Sequence, residues 1–198
     1  MNKRSLVLIG FVLAAAAQLA VPAWMIVERE RTLSEGEVFR FKTQPVDPAD
    51  AFRGRYVWLR LDPNTVAVPA GETWNNREKA FAVLGQGADG FAVVKRLSRT
   101  RPEDETSLQV RTQWTDMRER TVHIEWLGMD RFYMTELKAP AAERAYREHS
   151  SRGKQDCYVT IRVHGSCGVI ENLFIGDQPI QVWLKAKGEG QRQERKMK

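Results

Sequence analysis

Cysteine and histidine are scarce in this chain, with two cysteines and three histidines among 198 residues. Two cysteines cannot build a disulfide framework. The histidines are spread out: His123 falls on a strand at the edge of a core, His149 on a helix surface and His164 in a turn. No two of the histidines have the short spacing of a metal site, and together with Cys157 and Cys167 they form nothing resembling a zinc pattern. Glycine-rich phosphate loops are missing too. Gly85, Gly87 and Gly90 have a GxGxxG spacing, but they sit between two apolar runs, residues 79–84 and 91–97. No helix follows to present amides to an anion, so a β-hairpin with a glycine loop accounts for them.

Long apolar runs are confined to one. Residues 6–27 carry no charge and would reach about 33 Å as a helix, enough for a hydrocarbon core. Lys3 and Arg4 precede the run, which favours a cytoplasmic amino terminus with the rest outside, and Trp24 falls near the far interface. A cleaved signal peptide competes, because Val21-Pro22-Ala23 offers a small-residue cleavage site. The run continues past that cut through Met25, Ile26 and Val27, which favours a retained anchor.

Charge is uneven as well. The net charge is +6, and residues 184–198 carry Lys185, Lys187, Arg192, Arg195, Lys196 and Lys198 against Glu189 and Glu194. The folded part is therefore near neutral, and residues 185–198 read as a basic disordered tail.

What is present is a succession of short alternating segments. Residues 28–37 extend the anchor as a short charged helix that Gly36 stops, and residues 38–43 alternate as a first strand. Pro45 and Pro48 hold the next stretch turned or extended, and Asp47 before Pro48 initiates a turn. Gly54 frees the backbone before a strand over residues 56–61. There Tyr56, Trp58 and Arg60 face one way and Val57, Leu59 and Leu61 the other. Residues 66–68 make a short strand or an extended connection, and 71–78 a loop or a marginal helical turn. Residues 108–114 pair with 121–127, and Gly128 ends that pair before another extended piece at 132–134.

Pro140 opens a helix to His149, with Ala142, Ala145, Tyr146 and His149 on one face and Glu143 placed to pair with Arg147. Residues 157–163 and 167–173 form a third hairpin, and residues 180–183 a final strand. With His164-Gly165 as the turn, Cys167 lies opposite Arg162, some 16 Å along the ladder from Cys157. A disulfide needs Cα atoms within roughly 7 Å, so two unpaired, buried cysteines are expected.

No catalytic constellation emerges. Asp130, Glu136 and Glu143 offer carboxylates for acid–base work or a divalent ion. Arg131 and Lys138 interleave them, which is the pattern of ordinary surface pairing. Tyr56, Trp58, Trp114, Trp126 and Phe132 fall on alternating strands and are expected to pack the sheet. Arg55, Arg60, Arg111 and Arg131 would add a basic face only by converging.

The segment Gly54-Arg55-Tyr56-Val57-Trp58-Leu59-Arg60-Leu61, after Pro45-Val46-Asp47-Pro48, resembles the bacterial membrane-anchored GDYXXLXY family. Gly54, Tyr56 and Leu59 match the motif, while Arg55 stands for its Asp and Leu61 for its last Tyr. A second block, Leu127-Gly128-Met129-Asp130-Arg131-Phe132-Tyr133-Met134-Thr135-Glu136 with Glu143 behind it, is similar as well. The resemblance implies no activity. It singles out Pro45, Asp47, Pro48, Gly54, Tyr56 and Leu59, and in the second block Gly128, Arg131, Phe132, Glu136 and Glu143.

The resulting expectation is a mainly β or α+β protein. A cytoplasmic end (1–5), one transmembrane anchor (6–27) and a juxtamembrane strand region (28–43) precede an antiparallel β-rich domain (44–184) with one short amphipathic helix. The chain would sit single-pass in an inner membrane with its domain in the periplasm. It would need no cofactor and no metal, bind no nucleic acid, and act as a non-enzymatic partner of another envelope membrane protein. The alternative is a tethered hydrolase of Ser-Lys peptidase type. Ser34 would then be the nucleophile and Lys79 or Lys95 the base, although Glu35-Gly36 follows Ser34 where a Ser-Met-x-Pro pattern is required.

Overall fold

A computed structural model of the chain describes residues 3–45, 56–69, 71–151 and 155–196. Helix α1 (Lys3–Glu35) opens the chain, and within it Val7–Glu35 is long and apolar enough to cross a membrane. Its side chains at Leu8, Phe11, Leu19, Trp24 and Val27 are exposed, the condition that lipid contact relieves. Past the apolar run the helix docks on the domain. Thr32 is fully buried and donates its hydroxyl to the Glu28 carbonyl at 2.9 Å.

Gly36 then closes the helix, its amide donating to the Thr32 carbonyl at 3.0 Å. A β-carbon at Gly36 would collide with the Thr32 carbonyl oxygen and lie 3.1 Å from the Val163 nitrogen. Glycine is required here by close approach of backbones.

The strands follow in order: β1 (Glu37–Gln44), β2 (Tyr56–Trp58), β3 (Arg60–Asp62), β4 (Thr65–Ala67), β5 (Lys79–Gln86), β6 (Ala92–Ser98), β7 (Ser107–Asp116), β8 (Thr121–Trp126) and β9 (Arg131–Tyr133). Helix α2 (Ala139–Ser150), β10 (Cys157–His164), β11 (Cys167–Ile175), β12 (Gln178–Pro179) and α3 (Ile180–Lys196) complete the chain. Two five-stranded antiparallel sheets run β12-β11-β10-β1-β3 and β4-β8-β7-β5-β6, and β2 pairs with β9 separately. Phe41, Val159, Ile161 and Leu173 of the first sheet share one core with Ala82, Val110 and Val122 of the second. The Phe41 ring meets Trp126 edge-on at 5.2 Å, joining the two. The mainly β, α+β architecture with a leading apolar helix is as the sequence implies.

Four features differ from the sequence reading. The strand expected over residues 56–61 is two strands in different sheets. Leu59 leaves the β2 ladder and donates its amide to the Asp130 carbonyl at 2.8 Å, after which β3 pairs with β1. Residues 180–183 are not a strand but the first turn of α3. Buried Ile180 and half-buried Trp183 and Leu184 follow helical three- and four-residue spacing. That helix continues through residues 185–196, where a disordered tail was expected. Finally, the β10–β11 turn is Gly165-Ser166, with His164 opposite Cys167 and Cys157 opposite Ile175. The cysteines are both free, as expected, but Cys167 is half-exposed.

Candidate functional site: the motif face

Two segments distant in the chain meet in the β2–β9 ribbon, where Tyr56 lies opposite Tyr133, Val57 opposite Phe132 and Trp58 opposite Arg131. Opposed residues of an antiparallel pair share a face. Val57 and Phe132 therefore enter the core, where both are buried, and Tyr56, Trp58, Arg131 and Tyr133 form the outer face. Trp58 is 37% and Tyr133 63% exposed.

The rings are set around one cation. Tyr56 meets Tyr133 edge-on at 5.7 Å and lies 6.1 Å from Trp58. The Arg131 guanidinium is 5.3 Å from the Tyr56 ring centre and 5.2 Å from that of Trp58, inside the roughly 6 Å reach of a cation–π contact. Its Nε stands 3.2 Å from the Asp130 carboxylate. A hydrogen bond with the Tyr133 side chain, then the charge of Asp130, holds this guanidinium above its ordinary pKa.

Helix α2 backs the ribbon and packs against β2. Ala142, Ala145 and Tyr146 are its buried face, and the Tyr146 hydroxyl donates to the Gln44 carbonyl at 2.9 Å. In the turn ahead of α2, Leu137 is 96% exposed. Beside the ribbon, Leu59, Arg60, Asn64, Trp126 and Asp130 border a cleft of about 330 Å³. Half-exposed Trp, Tyr and Arg on a rigid base have the composition of a binding hot spot. The face can stack, hold an acceptor at Arg131 and hydrogen-bond through tyrosine.

The structure brings together part of what the sequence singles out. Tyr56, Arg131 and Phe132 belong to the ribbon, and buried Leu59 fastens it to the Asp130 carbonyl. Gly128, at φ +73°, makes the turn that leads into β9; that backbone favours glycine. Pro45 ends β1 in an exposed position, and Glu136 lies in the turn before α2. Asp47, Pro48, Gly54 and Arg55 lie outside the described residues.

The carboxylates do not gather into one site: Asp130 sits with Arg131, and Glu143 pairs with Arg147 at 3.6 Å. Among the described residues no group of His, Cys, Asp and Glu could hold a metal ion. Trp58, Tyr133 and Leu137 were missed as site residues. The signal for the first two was available, because Tyr56-x-Trp58 and Arg131-x-Tyr133 each place two residues on one strand face.

The remaining candidates lie elsewhere. Ser34 donates its hydroxyl to the Arg31 carbonyl at 3.1 Å on the last turns of α1. Lys79 opens β5 opposite Arg111, and the Lys95 stem covers Gly85. Arg111 is 4.0 Å from Glu125 on β8. His123 stacks on Trp114 at 3.6 Å. His149 is not on an open helix surface. Its Nδ1 lies 3.0 Å from Asp156 and its ring meets Trp183 edge-on at 5.3 Å. His164 ends β10, 3.9 Å from Glu35.

Among known proteins, a family model described as the GDYXXLXY protein matches residues 18–170. No curated protein and no solved structure matches the chain. The family match runs from within α1 into β11 and includes both segments of the ribbon. Covering well over half of the chain, it establishes that this protein belongs to the GDYXXLXY family.

Proposed function

We propose that the protein is a non-enzymatic, membrane-anchored binding module whose β2–β9 face engages another membrane protein of a bacterial envelope. In this reading α1 spans the inner membrane with Lys3 and Arg4 in the cytoplasm and the domain in the periplasm. The observation that carries it is the convergence of the two motif segments. They contribute Tyr56 and Trp58 from one side and Arg131 and Tyr133 from the other to a single half-exposed face. Core packing requires only Val57 and Phe132 of these strands; the outward rings and cation are what a partner would use.

The topology is tested by a reporter fused after Lys198, which should be active in the periplasmic format and silent in the cytoplasmic one. The binding surface is tested in intact cells with a photo-crosslinking residue at Leu137. One membrane protein should be captured, and Trp58→Ala with Tyr133→Ala should abolish its capture while the protein still accumulates. Capture that persists in the double variant would move the partner surface elsewhere.

A further inference from the structure

A cavity of about 430 Å³ lies where α1 meets the domain, within the range of about 300–1,000 Å³ typical of small-molecule sites. Its wall includes the apolar side chains of Leu108, Leu127 and Met129, and its border includes Glu28 of α1 and Arg101. Leu108 and Met129 are buried, whereas Glu28 and Arg101 are exposed.

The position of the cavity along α1 identifies its surroundings. Residues 6–27 are uncharged, and Glu28 is the first charge after them. A helix rises only about 1.5 Å per residue, so a cavity bordered by Glu28 stands at headgroup level once the apolar run fills the hydrocarbon. Arg101 and Glu28 are the charged residues of its lining, and beside its apolar side chains the wall includes Gln109, Ser166 and Cys167.

We propose that this cavity holds a zwitterionic amine phospholipid of the phosphatidylethanolamine type. Its phosphate lies at Arg101, its ammonium at Glu28, and the upper part of an acyl chain lies against Leu108, Leu127 and Met129. The inference rests on α1 being a membrane anchor, and is independent of the partner assigned to the motif face. A simple anion site would present cations alone, and a simple acyl groove would have no opposite charges at its border.

The test uses the full chain in nanodiscs containing a phosphatidylethanolamine with a photoactivatable group near its glycerol, with crosslinked peptides mapped by mass spectrometry. Label is expected on the peptide containing Leu127 and Met129 as well as on residues 6–27. Arg101→Glu and Glu28→Lys should each reduce the cavity label at least about fivefold, the worth of one interfacial charge, since each removes an attraction and adds a repulsion. The double swap should restore it, because a zwitterion can reverse. Label confined to residues 6–27, single variants that label like the wild type, or stronger cavity label from phosphatidylglycerol would overturn the site while leaving the anchor standing. Absence of label from residues 6–27 would instead overturn the anchor, and the site with it.

Discussion

Neighbouring residues of the motif segment have opposite roles. Leu59 is 2% exposed, so Leu59→Ala should cost about 2–5 kcal/mol in urea unfolding. Trp58→Ala, one position away on the outer face, should stay within about 1 kcal/mol of the wild type. Equal losses would show that Trp58 is a core residue and that the motif face is not a surface. Burial also sets a pH limit on the fold. It pushes the Tyr146 phenol and the Cys157 thiol each up to about 12, from ordinary values of 10.0 and 9.0. The folded chain therefore holds these protons more tightly than the unfolded one. Their contribution is complete below pH 9.0 and is lost as pH rises towards about 12. Urea midpoints should fall across that window, and less steeply in Tyr146→Phe; a flat profile would contradict the burial argument.

Among the elements, the junction of α1 with β1 is sensitive to a single atom. Gly36→Ala places a β-carbon against the Thr32 carbonyl and should destabilise by about 1–3 kcal/mol, as overpacking does. Gly188→Ala, where nothing lies within 4 Å, should leave α3 unchanged or add up to about 1 kcal/mol. If both unfold alike, the α1 junction is looser than described. Elements with long periodic patterns were legible from sequence: the apolar run of α1, the alternation in β7 and β8, and Pro140 opening α2. Those whose signal is four residues long were not. Ile180-Gln181-Val182-Trp183 alternates like a strand yet turns as a helix, since so short a run satisfies both periods. The exchange at Leu59 was invisible for a different reason. Alternation tells which face a side chain takes but not which neighbour the backbone bonds, so Tyr56 and Arg60 read as one strand while pairing in two sheets. The site was half legible: the motif named Tyr56 and Arg131, and the pairing register that brings them together is a long-range fact.

For the whole molecule, the decisive feature is that α1 runs unbroken from its apolar stretch to a buried Thr32, with the domain beginning at once after Gly36. A domain on a slack tether sweeps a volume and averages over directions. One on a stiff post keeps a constant stand-off and a constant azimuth, so any partner would have to present a complementary surface at that height and bearing. Such a post has a phase. Two residues inserted after Val27 would turn the domain by about 200° with a lift of only about 3 Å, and seven would restore the bearing while raising it about 10 Å. If a partner reads both, crosslinking at the motif face should be lost in either insertion. If it reads bearing alone, only the two-residue insertion should silence it. In that sense α1 is a ruler and a compass for the face it carries.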